Sequence, residues 1–238
     1  GNCTSNCTVD ATELYFGFGG SGHDNRYNGS VYEVWDHRKG DAARAVLYMD
    51  VRYKGGTNNY GQQEPDLQVT DTDRDYYETH KLTLARHPSE TDERLMVRLL
   101  VFALHADPAL EFAGAISTEE TPALWKKNLS GEIQDWIELG FPDEKRIKKA
   151  CGRARNVYIY CYGMHRAKPW WQSIQAKLDR FDNLSVLVFA DAEIAPLPSM
   201  AKRTMQLYAT IQDGAVTFAD DQREAVILPM VWLPQQKS

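Results

Sequence analysis

Apolar and polar positions fall into blocks along this chain, and each block predicts an element. The tightest block is residues 131–151, Gly-Glu-Ile-Gln-Asp-Trp-Ile-Glu-Leu-Gly-Phe-Pro-Asp-Glu-Lys-Arg-Ile-Lys-Lys-Ala-Cys. Ile133 to Leu139 predicts a strand, because Trp136 and Ile137 bring β-favouring bulk. Alternation then puts Gln134, Trp136 and Glu138 on one face and Asp135, Ile137 and Leu139 on the other. Pro142 suits the first turn of a following helix, where its missing N–H is not needed. Asp143 and Glu144 sit at the positive end of that helix, and Lys145, Arg146, Lys148 and Lys149 run towards its negative end.

The remaining blocks extend the pattern in both directions. Residues 1–30 are rich in Gly, Asn, Ser and Thr and predict a loop; the run Gly17–Gly22 lacks the Gly-Lys-Ser/Thr of a phosphate loop. Residues 40–53 predict a helix capped by Asp41, and residues 55–66 a polar linker. His80 to Arg86 predicts a strand. A helix follows with Ser89 as its cap and Asp92 completing a capping box. Its body, Leu95 to Leu104, is apolar nearly all round and predicts burial. Glu90 and Arg94 are expected to form a surface pair. Glu93 leads the stripe of Val97, Leu100 and Leu104, so its carboxylate must end in water, in an ion pair or on a metal.

Further on, the pattern predicts a strand over Asn156–Tyr162, a helix from Pro169 to Phe181 and a buried strand over Ser185–Phe189. A hairpin over 205–211 and 215–218 turns at Gln212-Asp213-Gly214. Val226 to Trp232 predicts a closing edge strand interrupted by Pro229. Helices alternate with strands, which predicts an α/β sandwich with a mixed sheet.

Composition narrows the function classes. The 238 residues carry a net charge of −6, which argues against a broad basic nucleic-acid surface and leaves room only for a localised one. No apolar run reaches the roughly 18 residues of a membrane helix, and no basic-then-apolar signal segment is written near residue 1. Cys3 and Cys7 lie in polar sequence and could bridge in an oxidising compartment, whereas Cys151 and Cys161 sit in apolar surroundings and are expected to be inert core thiols.

Two segments carry family resemblances. Lys39-Gly-Asp-Ala-Ala-Arg-Ala45 running into Tyr48-Met-Asp-Val-Arg-Tyr53, with Glu64-Pro-Asp-Leu67, resembles bacterial endonuclease I over about residues 23–70. That family is extracellular, metal-dependent and non-specific, which implies secretion for this part. Its catalytic Glu-His-Val-x-Pro motif is not spelled here: His23 is followed by Asp24, and His37 sits in Trp-Asp-His-Arg.

The second resemblance covers residues 67–238. It is carried by Leu82-Thr-Leu-Ala-Arg-His-Pro-Ser-Glu-Thr-Asp-Glu-Arg94, Trp136-Ile-Glu-Leu-Gly-Phe-Pro-Asp-Glu144, Arg146-Ile-Lys-Lys-Ala-Cys151, Trp170-Trp171 and Thr210-Ile-Gln-Asp-Gly214. This region resembles the YaeQ family of bacterial proteins. The resemblance implies a mixed-sheet, restriction-endonuclease-like PD-(D/E)XK core and a cytoplasmic location. The two resemblances meet at Asp66-Leu-Gln-Val-Thr-Asp71, so the expected organisation is composite. Residues 1–66 would be an endonuclease I-like, partly irregular extension with one helix, and 67–238 a YaeQ-like α/β domain; a natural fusion, an engineered chimera and a generated sequence all fit the join.

A nuclease of that implied fold needs carboxylates to hold magnesium and a lysine to steady the attacking water. Its usual strand signature is Glu-x-Lys; here it is Glu138-Leu139-Gly140, with glycine in the lysine slot. Lys149, with Arg146 three residues before it, is the replacement cation. The expected catalytic set is therefore Glu138, Lys149 and Arg146. Glu93, Glu138 and Glu120 would hold Mg2+ or Mn2+ if the site is active. Gln134, Thr121 and Ala123 stand where the family is often acidic. A competing expectation is a non-catalytic module that binds nucleic acid or a protein through Arg146, Lys148, Lys149 and Arg153. A third is a composite chain with no evolved function.

Overall fold

The computed structural model of this chain describes residues 14–16, 25–27, 32–33, 61–87, 89–113 and 121–234. The helix expected at 40–53, the Cys3/Cys7 pair and Glu120 lie outside them. Three short strands, Leu14–Phe16 (β1), Asn25–Tyr27 (β2) and Tyr32–Glu33 (β3), pair antiparallel in the order β1-β2-β3.

The rest is built on two six-stranded mixed sheets. In the first, Ile133–Leu139 (β9), Ala154–Cys161 (β10) and Leu184–Val188 (β11) are parallel neighbours. Parallel strands need crossover connections, and Glu144–Cys151 (α2) and Met164–Leu178 (α3) supply them. Leu124–Lys127 (β8) and Leu110–Phe112 (β7) extend one edge antiparallel, and Met230–Leu233 (β15) closes the other. Alternation sorts this sheet cleanly: Trp136, Val157, Ile159, Cys161, Val186 and Val188 pack under Ile147, Ala150, Ala167 and Ile174 of the two helices. Ile137, Leu139 and Tyr160 face the other way.

That other face meets the helix Asp92–Leu104 (α1) and the second sheet. The second sheet runs Glu224–Ile227 (β14), Ala215–Ala219 (β13), Thr204–Gln212 (β12), Gly61–Asp71 (β4) and Tyr76–Lys81 (β5), with Leu84–Arg86 (β6) also on β4. α1 is buried from Leu95 to Ala103, as its all-round apolar pattern requires. The chain is therefore a mixed α/β protein, as expected, with two large mixed sheets rather than one among the described residues.

Several boundaries differ from the sequence reading, each for a local reason. Residues 61–66, expected to end a linker, are the first half of β4; Glu64, Pro65 and Asp66 align with Thr204, Met205 and Gln206 of β12. Gln63 and Pro65 are buried there, so a polar, breaker-rich string is held extended by tertiary pairing. The strand expected at 80–86 divides into β5 and β6, both antiparallel to β4. Thr91, not Ser89, caps α1, accepting from the Arg94 N–H at 3.2 Å, while Ser89 Oγ lies 2.6 Å from His87 Nδ1. Asp143 caps α2, accepting from the Arg146 N–H at 2.7 Å, which leaves Pro142 before the helix. α3 starts at Met164, with Pro169 inside it. The expected edge strand 226–232 is two strands in different sheets, because Pro229 offers no ladder N–H and the chain crosses between sheets there.

The hairpin turn is as predicted: Asp213 (φ 52°) and Gly214 (φ 75°) both adopt the left-handed region that a two-residue hairpin loop needs. Cys151 and Cys161 are unpaired, and burial pushes both thiols up to about 12, which keeps them unreactive at neutral pH.

One part-buried polar pair makes the fold sensitive to acid. His105, which caps the end of α1, has Nε2 2.8 Å from the Tyr160 hydroxyl and its ring 4.5 Å from that of Tyr158. Burial lowers the imidazole from 6.5 to about 4, against the opposing pull of Asp135. A lowered folded value means that this stabilisation is present above 6.5 and is lost as pH falls towards 4. The full span is worth at most about 3 kcal/mol. Urea unfolding of His105→Gln is expected to show a flatter stability profile between pH 7 and 4.5 than the unsubstituted chain; parallel profiles would remove His105 as the cause.

Candidate functional site

Glu138 is the last inward carboxylate of β9 on the helix-facing side, and it is 4% exposed. Its Oε1 accepts from Trp136 Nε1 at 2.8 Å, two residues back on the same face, and from Arg146 Nε at 2.8 Å. Arg146 Nη2 lies 2.6 Å from the same oxygen and also donates to the Thr121 carbonyl at 2.9 Å. Burial raises the Glu138 carboxyl above the usual range, and the Arg146 guanidinium and the Trp136 N–H pull it back part of the way. The first turn of α2 thus delivers a guanidinium to the carboxylate that the nuclease expectation needed as a metal ligand.

The other expected residues are dispersed. Lys149 is partly exposed on α2, and Lys148 and Arg153 are exposed on the outer helical layer. Glu93 is exposed at the first turn of α1, and Glu120 lies outside the described residues. Among the described residues, no three His, Cys, Asp or Glu side chains come together as metal ligands. Mg2+ or Mn2+ at Glu138 would meet a carboxylate whose Oε1 is already held by a guanidinium, and would find Gln134, a neutral amide, on the same strand face. The described donors do not fit a divalent metal.

What the structure does assemble is a cleft of about 510 Å3 at the carboxyl ends of the three parallel strands. Leu139, Gly140 and Phe141 leave β9, Tyr162 and Gly163 leave β10, and Asp191 follows β11. Glu93 and Arg94 enter from α1, and His165 and Arg166 from the start of α3. Such crevices beyond strand carboxyl ends are the usual ligand position in open α/β sheets. Gly140 (φ 97°) and Gly163 (φ 79°) hold the left-handed conformation in which the chain leaves each strand, and an added Cβ on Gly140 would meet nothing within 4 Å. Asp191 accepts from the Met164 N–H at 2.9 Å, fastening the start of α3. Arg94 lies in hydrogen-bond range of the Leu139 carbonyl at 3.5 Å, and Arg166 lies 5.0 Å from the centre of the Phe141 ring.

Sequence reasoning missed this cleft. Its residues are spread over four separate segments, and the one available signal was a glycine directly after two predicted strands, in Leu139-Gly140-Phe141 and Tyr162-Gly163-Met164. It also missed that Glu90, expected on the surface with Arg94, is buried. Both Glu90 carboxylate oxygens accept from Arg98 Nη1 at 2.9 Å, and Arg94 Nε is 4.0 Å away.

The fold and this site define a two-sheet, mixed α/β protein with an arginine-locked carboxylate beside an open strand-end cleft. The YaeQ protein family model matches residues 62–229, most of the chain. The YaeQ protein of Salmonella typhi is 46% identical over 166 residues, covering 70% of this chain and 92% of its own, and that of Escherichia coli strain K12 is 43% identical over the same length. The crystal structure of YaeQ from Xanthomonas axonopodis pv. citri superposes with a TM-score of 0.69 at 42% identity, covering 72% of this chain and 97% of that one. The one from Pseudomonas syringae superposes equally, at 30% identity. The chain belongs to the YaeQ family. An Endonuclease I family model also matches residues 4–91, so both family resemblances read from the sequence are borne out, and the two matches overlap over 62–91, along β4 to β6.

Proposed function

We propose that this YaeQ-family chain is a non-hydrolytic nucleic-acid-binding protein on a nuclease-like frame, contacting phosphates through the outer layer of α2 and α3. The observation that carries this reading is the charge of that layer. Residues 144–180 hold ten Lys or Arg and two Asp or Glu, a net of +8, in a chain whose total is −6. Glu144, one of the two acids, is consumed in bridges to Lys177 and Arg180 at 3.2 and 2.8 Å that tie α2 to α3. Lys145, Lys148, Arg155 and Lys168 are exposed. Each is without an ion-pair partner among the described residues. A net-positive helical layer suits the sequence-independent phosphate term of nucleic-acid binding. The Arg146–Glu138 lock supports binding over hydrolysis, since it neutralises the carboxylate that metal-dependent cleavage would use.

Fluorescence anisotropy of a labelled oligonucleotide across a salt series tests the reading. Affinity is expected to fall steeply as salt rises, and Lys148→Glu with Arg155→Glu to reduce the log–log slope by about 2. Plasmid incubated with Mg2+ or Mn2+ is expected to stay uncut. Nicking that disappears in Glu138→Gln would overturn the non-hydrolytic reading, and the absence of low-salt binding would overturn the nucleic-acid one.

A further inference from the structure

The strand-end cleft contains two charged groups that the fold does not use. Glu93, on its α1 wall, has no ion-pair or hydrogen-bond partner among the described residues. Arg166, on its α3 wall, has none for its guanidinium either; that group instead lies over the Phe141 ring at 5.0 Å. The other cleft charges are engaged: Asp191 by the Met164 N–H and Arg94 by the Leu139 carbonyl. Phe141 and Tyr162 add two aromatic walls, and Gly140 leaves backbone open to a close approach.

A ligand complementary to this arrangement has an anionic end for Arg166 and His165, a flat apolar middle, and a hydrogen-bond donor for Glu93. We infer that the cleft is a nucleotide site: it takes the phosphate of a nucleotide against Arg166, which is seated over the Phe141 ring, and His165, stacks its base on the Tyr162 wall, and receives the exocyclic amine of adenine, guanine or cytosine on Glu93. Guanidinium–phosphate contact is the stronger, charge-assisted kind. Base–aromatic stacking is tolerant of base identity. A glutamate accepting from an exocyclic amine is a known mode of base discrimination, and uracil has no such amine. The cleft's volume of about 510 Å3 is within the usual range for small-ligand sites. His165 and Arg166 also open the basic helical layer, so a strand lying on that layer would end in this cleft. The inference therefore rests on the nucleic-acid reading but specifies a second, separable contact.

Calorimetric titration of the full chain with nucleoside 5′-monophosphates and with the parent nucleosides tests it. CMP and AMP are expected to bind at millimolar concentrations or below, and UMP and the nucleosides to bind more weakly. Arg166→Ala is expected to weaken CMP by roughly tenfold or more, as loss of a charged hydrogen bond implies, with Arg166→Lys recovering part of it. Glu93→Gln is expected to abolish the preference for CMP over UMP while leaving the salt-dependent oligonucleotide binding of the helical layer unchanged. A silent titration, nucleosides binding as well as nucleotides, or CMP binding indifferent to Arg166 would overturn the inference. If oligonucleotides still bind in that case, only the cleft assignment falls. If nucleotides bind and oligonucleotides do not, the cleft stands and the helical-layer reading falls.

Discussion

Arg98→Met is expected to destabilise this protein by about 3–5 kcal/mol, because it strands a carboxylate in the core. Arg98 and Glu90 side chains are each 2% exposed, and Arg98 Nη1 reaches both Glu90 oxygens at 2.9 Å. Arg86 holds the neighbouring backbone, donating to the Glu90 carbonyl from Nη2 at 2.9 Å and pairing with Asp92 at 2.8 Å. The pair thus fixes the entry to α1, with the Arg98 guanidinium 5.2 Å from the centre of the Phe112 ring. Breaking such a pair from one side is far more damaging than replacing both partners by neutral groups. The double substitution Glu90→Gln with Arg98→Met should therefore recover most of the loss. Urea midpoints of the three variants, completed as a cycle, measure the coupling. A single variant that costs less than about 1 kcal/mol, the order of a surface pair, would show that the carboxylate is not stranded in the core.

Arg146→Ala is the second large effect, expected at about 2–4 kcal/mol since the arginine is partly exposed and solvent relieves some of the loss. It leaves Glu138, whose side chain is 5% exposed, with the Trp136 N–H and without its counter-charge. The sign of its pH dependence is opposite to that of His105. Burial holds the Glu138 carboxyl above its unfolded value, so its contribution is fully present at low pH and declines as pH rises through the folded value. Removing Arg146 removes the main influence that lowers that value. The variant should therefore lose more stability at pH 8 than at pH 5. Glu138→Gln should be far milder at neutral pH, because an amide oxygen still accepts from Trp136 and Arg146. Equal losses at both pH values would mean that the carboxylate is not the source of the effect.

The legible part of the fold was the part in which a single segment carries its own instruction. β9 runs from Ile133 to Leu139 as the alternation required, and Trp136 and Ile137 go to opposite clusters. α1 is buried because no face of Leu95–Leu104 is polar enough to meet water except at Arg98, which has its own partner. The Asp213-Gly214 turn needed only two residues able to take positive φ. The misread parts were those in which a distant partner decides. Gly61–Asp66 has few strand-favouring side chains, yet β12 on one side and β6 on the other satisfy its backbone. Residues 226–232 look like one strand until Pro229 sends the halves to different sheets.

The candidate site divides in the same way. Glu138 and Arg146 were both legible as functional candidates from residue type and spacing, but the sequence could not say that they neutralise each other. That contact depends on the distance between a strand end and the first turn of the next helix, which packing of Trp136, Ile147 and Ala150 sets. The strand-end cleft was not legible, since its walls come from α1, β9, β10, α3 and the start of the segment after β11, joined only by the crossover topology.

By itself the sequence determined the family, the mixed α/β class, the second family resemblance that meets it at residues 66–71 and the basic run over residues 145–155. These are properties of local strings, of side-chain period and of composition. Only the tertiary structure decided that Glu138 is locked by Arg146, that Glu90 is a core charge rather than a surface one, and that Glu93 and Arg166 face a shared cleft without ion-pair partners among the described residues. Each of those depends on burial and on contacts between residues far apart in the chain, where a few ångströms separate an ion pair from an open binding group.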